Sequence, residues 1–93
     1  MVGKAKPIIV IDTIGGNCPV QAEGTIDGKP FYFRARWSYW SIGIGGVDPC
    51  IDPEWEHGEK YSDELYAAGW MTEEEARTFI DKAANLYAET GEK

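Results

Sequence analysis

The sequence contains a single histidine and only two cysteines, and this scarcity limits the chemistry available to it. A structural zinc site needs about four cysteine or histidine ligands, and Cys18 and Cys50 are not in CxxC spacing. Two cysteines are also too few for a disulfide framework. We expect both thiols to be free and buried, and the alternative is a contact between the two sulfur atoms.

Long apolar runs are also missing. None approaches the roughly 20 residues that cross a bilayer, and the run Ile8–Ile11 is too short for the core of a signal peptide. With 93 residues, the chain has the length of one domain, which we place at 1–93. We therefore expect a single-domain, soluble protein of the cytoplasm.

Basic residues are few, nine against 16 acids, and the net charge is −7. The imbalance lies in the second half, where Asp48–Glu75 holds ten acids and one base, Lys60. Such a surface repels phosphate backbones, whose binding depends on Lys and Arg. The sequence therefore disfavours direct binding of nucleic acid and favours a basic protein surface as partner.

Aromatic and β-branched residues are abundant in the first half and predict strands. Pro7–Thr13 carries a β-branched run that fits a buried strand. Val20–Ile26 and Phe31–Trp37 alternate apolar and polar residues, and Trp37 is expected on the apolar face. Asp27-Gly28 between them is a strong signal for a tight hairpin turn.

The second half predicts one more strand, a long loop and a helix. Trp40–Ile44 alternates like a strand, whereas Val47–Met71 shows no clean period and is expected to be irregular. Thr72 and Glu75 form a capping box ahead of an apolar stripe that predicts a helix to about Ala88. The expected fold is α+β, with an antiparallel three- to four-stranded sheet, one C-terminal helix on one face and a long aromatic, acidic connecting loop.

Catalytic and cofactor motifs are weak. His57 could pair with Cys50 or Cys18 as base and nucleophile, but its polar neighbours predict a solvated loop. Five carboxylates could meet a cation, yet their spacing is not that of an EF-hand, and a solvated acidic surface is the simpler explanation: Asp48, Asp52, Glu54, Glu56 and Glu59. We expect no enzyme, cofactor or metal, and keep a small metal- or thiol-dependent enzyme using Cys50 and His57 as an alternative.

The strongest functional candidate is the acidic, aromatic segment Asp48–Glu64, which we expect to bind a basic protein surface. Trp55 and Tyr61 would be its apolar anchors, because interfaces concentrate binding energy in such rings. The simpler alternative is a solubilising surface, and a homodimeric structural or regulatory module is another. The candidate partner-binding residues are Asp48, Asp52, Glu54, Trp55, Glu56, Glu59, Tyr61, Asp63 and Glu64.

Four stretches carry a resemblance to known proteins: Asn17–Gly24, Phe31–Arg36, Trp40–Gly43 and Tyr66–Thr72. They resemble small proteins encoded by phages and mobile elements of proteobacteria, and within that group the anti-CRISPR proteins directed at type I effector complexes. The resemblance implies a non-enzymatic inhibitor in the cytoplasm of a bacterial host. It would bind a subunit of the effector complex and block target DNA, and the acidic segment could do so as a nucleic-acid mimic.

Overall fold

Five antiparallel strands form one sheet, and a single helix packs on one of its faces. The structure is a computed structural model that describes residues 7–17, 19–64 and 67–90. The strands follow one another across the sheet in chain order, which confirms the predicted α+β fold with one strand more than expected. The elements are β1 (Ile9–Gly15), β2 (Val20–Ile26), β3 (Lys29–Arg36), β4 (Tyr39–Ile44), β5 (Trp55–Lys60), a 3₁₀ turn (Ala67–Trp70) and α1 (Glu73–Thr90).

The hairpin of β2 and β3 forms as predicted. Asp27 and Gly28 both have positive φ, 51° and 83°, as a two-residue type I′ turn requires. The register pairs Ala22 with Phe33 and Gly24 with Phe31. Small residues of β2 therefore lie opposite the large rings of β3 on the same face, and those rings fill the space that the small residues leave.

Strand β1 lies at the edge of the sheet, where the sequence predicted a buried strand. Ile8 and Val10 are exposed, and Ile9 and Ile11 are half-buried. The prediction of burial was wrong because β1 pairs with β2 alone, so its alternate side chains have no layer above them. The register of β1 against β2 shifts at Asp12, which marks a bulge.

The predicted capping box begins the helix. The Thr72 hydroxyl accepts a hydrogen bond from the Glu75 amide at 3.1 Å, and the Glu75 carboxylate accepts one from the Thr72 amide at 3.0 Å. Helix α1 then runs from Glu73 to Thr90, two residues beyond the expected end. The predicted stop, Gly91, lies outside the described residues.

The hydrophobic core lies between the helix and the face of the sheet beneath it, which we call the inner face. Trp40 is at its centre, with ring centroids 5.8 Å from Phe33 and 5.1 Å from Phe79. Rings of this size each bury roughly 150–250 Å², which is how so short a chain builds a core. The largest fully buried side chains are Trp40, Phe31, Phe33, Ile26, Ile42, Ile44, Ile80 and Val20.

The turn between β3 and β4 turns Trp37 outward. Its φ is 57°, and its side chain is 56% exposed, so the prediction that it continues the apolar face was wrong. Strand β3 ends at Arg36, and the alternation ends with it. The Trp37 carbonyl accepts a hydrogen bond from Ala68 N, and the Ser38 carbonyl accepts one from Tyr61 N, both at 2.6 Å. The segment after β5 thus fixes this turn.

Candidate functional site

Within residues 7–17, 19–64 and 67–90, no layer of secondary structure covers the face of the sheet opposite the helix, and we call this the outer face. Alternation along the strands decides its composition, because successive side chains point to opposite sides. It is polar and aromatic where the inner face is apolar. Strands β2 to β5 contribute to it Gln21, Glu23, Tyr32, Arg34, Arg36, Tyr39, Ser41, Glu56 and Lys60.

The first part of the predicted binding segment is a compact turn. The Asp48 carboxylate accepts a hydrogen bond from Cys50 N at 3.0 Å. The Asp48 carbonyl accepts from Ile51 N at 3.1 Å and from Asp52 N at 2.8 Å. Asp48 is therefore a structural residue of the turn as well as an exposed charge.

This turn lies over the outer face at Gly43. The Gly43 Cα lies so close to the Pro49 carbonyl and the Pro53 ring that an added Cβ would overlap both. The absence of a side chain at Gly43 thus allows the loop to approach the strand closely. Two cavities flank the loop, one toward β1 and one toward β5.

The cavity on the β1 side has a volume of about 250 Å³ and an acidic rim. Asp12, Glu23 and Asp48 all line it, and Tyr32 and Pro49 add apolar surface. The bulge in β1 places Asp12 there, and alternation places Glu23 there. The sequence did not indicate these two residues, because both lie far along the chain from the acidic segment and only the folded sheet brings them near Asp48.

Some carboxylates of the predicted segment form ion pairs and others do not. Glu54 forms an ion pair with Lys29 at 3.0 Å, and this hydrogen bond raises the pKa of the Lys29 ammonium. Asp63 pairs with Lys60 at 2.7 Å. Asp52 and Glu56 are exposed, and no ion pair with either forms within residues 7–17, 19–64 and 67–90.

Strand β5 divides its own residues between the two faces. Glu56 points to the outer face, whereas Trp55, His57 and Glu59 are half-buried on the helix side. Glu59 receives hydrogen bonds from Lys82 at 2.8 Å and from the His57 ring at 2.9 Å. These bonds, first that from Lys82, lower the pKa of the Glu59 carboxyl. Glu59 therefore ties β5 to the helix.

The two expected anchors, Trp55 and Tyr61, are also directed inward. Trp55 packs edge-on against Tyr87, and Tyr61 packs edge-on against Phe79. The Tyr61 hydroxyl donates to the Glu75 carboxylate at 3.0 Å. Burial raises the pKa of the Tyr61 hydroxyl, and the bond to Glu75 adds to this effect. Both rings belong to the rim of the core.

Glu64 completes the predicted set at the far end of β5. Its amide donates to the Ser62 hydroxyl at 3.0 Å, and its side chain is exposed. Five strand steps separate Trp55 from Lys60, which is about 17 Å. The nine predicted residues therefore do not form one patch, since Asp48, Asp52 and Glu56 lie near the loop, and Asp63 and Glu64 lie beyond the other end of the strand.

The structure separates Cys50 from His57. Cys50 is a free, exposed cysteine in the loop over the outer face, so the prediction that it is buried was wrong, because no layer covers that loop. His57 lies in β5 with its ring 5.7 Å from Trp40 and 5.9 Å from Trp55, rather than in a solvated loop. The two side chains lie on opposite faces of the sheet and do not form a nucleophile–base pair. Cys18 lies outside the described residues.

In the part of the chain that the structure describes, no three histidine, cysteine, aspartate or glutamate side chains are grouped so that they could hold a metal ion. No helix in this part is both long and apolar enough to cross a membrane. No protein-family model, curated protein or solved structure matches the chain.

The other end of the outer face is basic and aromatic, and the sequence reasoning did not select it. Arg36 pairs with Tyr39, and Tyr39 pairs with Lys60, in one row across β3, β4 and β5. The alternation of β3 does place Arg34 and Arg36 on one face. What it does not reveal is that the turn adds the exposed ring of Trp37 beside them.

Proposed function

We propose that this protein is a non-enzymatic binding protein that docks on a basic protein surface through the acidic end of its outer face. The observation that supports it is the cavity lined by Asp12, Glu23 and Asp48. A volume of about 250 Å³ is enough for one long basic side chain. Tyr32 and Pro49 would contact the aliphatic part of a lysine or arginine side chain, and the carboxylates would form ion pairs with its charged end.

Two exposed carboxylates extend this surface. Asp52 lies in the loop, and Glu56 lines the cavity on the other side of Pro49 and Pro53. A basic partner thus meets negative charge on both sides of a fixed turn. Electrostatic complementarity of this kind accelerates association and selects against acidic partners.

The partner that we propose is the DNA-binding surface of a type I CRISPR effector complex in a bacterial cytoplasm, in line with the resemblance noted above. Such a surface is basic because it must neutralise phosphates. A protein that covers it with carboxylates blocks target DNA without any catalytic step. The proposal needs no cofactor or metal.

A charge-reversal variant tests the surface. Glu23→Lys with Glu56→Lys changes both ends of the acidic region, and both side chains are exposed on strands. The matched control is Glu74→Lys with Glu89→Lys, which has the same change in charge on the helix. The control places one lysine at each end of α1, so the two effects on the helix dipole oppose each other.

Binding is measured by surface plasmon resonance against a panel of purified type I effector complexes, at low and high salt and with target DNA as competitor. We expect one complex to bind the native protein, with affinity that falls as salt rises because exposed charges are screened. Like-charge contacts cost several kcal/mol, so the outer-face variant should lose over a hundredfold in affinity while the control binds normally. Full binding by the outer-face variant, or binding to none of the complexes, would refute the proposal, and simultaneous binding of target DNA would refute DNA blocking.

A further inference from the structure

The basic end of the outer face contains a third, chemically different cavity. Its volume is about 240 Å³, and its lining has two guanidinium groups, two aromatic rings, two hydroxyl groups and no carboxylate. It is open to solvent at the end of the sheet where β3 turns into β4. The lining residues are Arg34, Arg36, Trp37, Tyr39 and Ser41.

Two aromatic rings in this cavity are presented to solvent. Trp37 is 56% and Tyr39 57% exposed. Trp37 also has a left-handed φ of 57°, which is strained for a bulky side chain. Strained residues of this kind persist where the surroundings hold them, and they concentrate at functional sites.

The surroundings do hold Trp37. Its carbonyl accepts the 2.6 Å hydrogen bond from Ala68, and the Arg36 guanidinium lies 4.8 Å from its ring centroid. The ring is therefore oriented before any ligand arrives, although more than half of its surface remains free. A fixed, exposed ring is the arrangement on which a planar group stacks.

One nitrogen of the Arg34 guanidinium lacks a hydrogen-bond acceptor. In the described part of the chain, its Nε is the only buried side-chain nitrogen or oxygen without a hydrogen-bond partner. Leaving a buried donor without an acceptor is unfavourable. Arg34 also lines the cavity, and its guanidinium fork matches the oxygens of a phosphate, so the part of this group that reaches the cavity can bind an anion there.

We propose that this cavity binds a single nucleotide, with its base stacked on Trp37 or Tyr39 and its phosphate at Arg34. The volume of about 240 Å³ lies below the roughly 300 Å³ of common ligand pockets, so the cavity suits a ligand no larger than one nucleotide, whose base lies over the exposed rings. A longer phosphate backbone would approach Glu56, which shares a neighbouring cavity with Arg34, and the net charge of −7 opposes it further. The ligand is therefore a free nucleotide or one nucleotide of a single strand, and the site is independent of the protein-binding function proposed above.

Titration of the full chain with adenosine 5′-monophosphate, followed by two-dimensional NMR, tests the site. We expect saturable shifts at residues 34–41 and an affinity at least tenfold higher than for adenosine or inorganic phosphate alone. A six-nucleotide single strand is compared with the mononucleotide. Tighter binding of the strand would show that the natural ligand is a nucleotide within a single strand, and equal or weaker binding would show that it is a free nucleotide. The assignment would be overturned if the nucleotide showed no saturable binding at millimolar concentration. It would also be overturned if a peptide with adjacent glutamate and tryptophan bound equally well, because the site would then not distinguish a nucleotide from an acidic, aromatic peptide.

Matched variants separate the site from general charge and stacking. Arg34→Gln removes the guanidinium, and Trp37→Gly removes the ring while relieving the positive φ. Arg77→Gln and Trp70→Ala remove an exposed arginine and an exposed tryptophan elsewhere. Loss of one stacked base typically weakens binding by about tenfold or more, which we expect for Trp37→Gly and at least equally for Arg34→Gln. Native-like affinity in both of these folded variants, or the same loss in the controls, would overturn the proposal.

Discussion

The inner and outer faces of the same sheet consist of neighbouring residues in the same strands, yet they have opposite roles. In β3, Phe31 and Phe33 are fully buried on the inner face, whereas Tyr32 between them and Arg34 after them reach the other side. The helix needs only one apolar face to cover. The comparison shows that the hydrophobic core uses one face of the sheet, so that the polar residues of the other face remain largely outside the core.

The outer face is itself divided by charge. Glu23, Tyr32 and Glu56 lie in one row across the strands, and Arg36, Tyr39 and Lys60 lie in another. Four strand steps along β3 separate the rows, which is about 13 Å. That distance exceeds the Debye length of about 8 Å at physiological ionic strength, so the two ends can present charges of opposite sign to different ligands.

The largest expected effect is on the inner face. Phe33→Ala should lower the free energy of unfolding by about 3–5 kcal/mol, the usual cost of truncating a buried phenylalanine, because Phe33 is fully buried against Trp40. Urea denaturation followed by circular dichroism measures it. Tyr39→Ala, on the same sheet but on the outer face, should change this free energy by less than about 1 kcal/mol.

A second inner-face variant keeps this comparison measurable if Phe33→Ala does not fold. Phe33→Leu keeps most of the apolar volume, and we expect a cost clearly below that of Phe33→Ala. Equal costs at Phe33 and Tyr39 would contradict the division of roles between the two faces.

An intermediate effect is expected where the loop touches the outer face. Gly43→Ala places a methyl group against the Pro49 carbonyl and the Pro53 ring, and overpacking of this kind costs about 1–3 kcal/mol. Ser41→Ala, two residues earlier on the same face and exposed, should stay within about 0.5 kcal/mol. Urea denaturation of both variants checks this difference, and a neutral Gly43→Ala would mean that the loop is not held against the strand.

Those parts of the fold that depend on local chemistry were predictable from the sequence. The Asp27-Gly28 turn needs positive φ at both positions, and few residues besides glycine, asparagine and aspartate accept it. The capping box of Thr72 and Glu75 is equally local, since its two hydrogen bonds span three residues. Both features were found at the predicted positions.

The parts that depend on tertiary contacts were not predictable in the same way. Strand β5 has one apolar residue, Trp55. Its other two inward side chains are polar, since His57 packs against the Trp40 ring and Glu59 accepts a hydrogen bond from Lys82. A strand whose inward residues are polar shows no alternation of apolar and polar residues, so its sequence resembles that of a loop. The outer-face cavities combine residues from separate strands and loops, and no spacing in the sequence reveals that combination.

The smallest expected effect tests the polar contact between β5 and the helix. The hydrogen bonds to Glu59 lower its pKa from the ordinary value of 4.5. A lowered folded-state pKa contributes stability above the unfolded value, and that contribution is lost as pH falls through the folded value. Glu59→Gln should therefore lower the free energy of unfolding by about 0.2–1 kcal/mol at neutral pH, because the pair with Lys82 is half-exposed.

The pH dependence separates this contact from a general effect of charge. Because the native protein loses the Glu59 contribution in acid, the native and Glu59→Gln curves should converge as pH falls below 4.5. Urea denaturation at neutral pH and at about pH 3 measures this convergence. Glu56→Gln is the matched control, because this residue lies in the same strand and points to the outer face. A Glu59→Gln variant that differs equally from the native protein at both pH values would show that the contact with Lys82 and His57 does not stabilise the charged carboxylate.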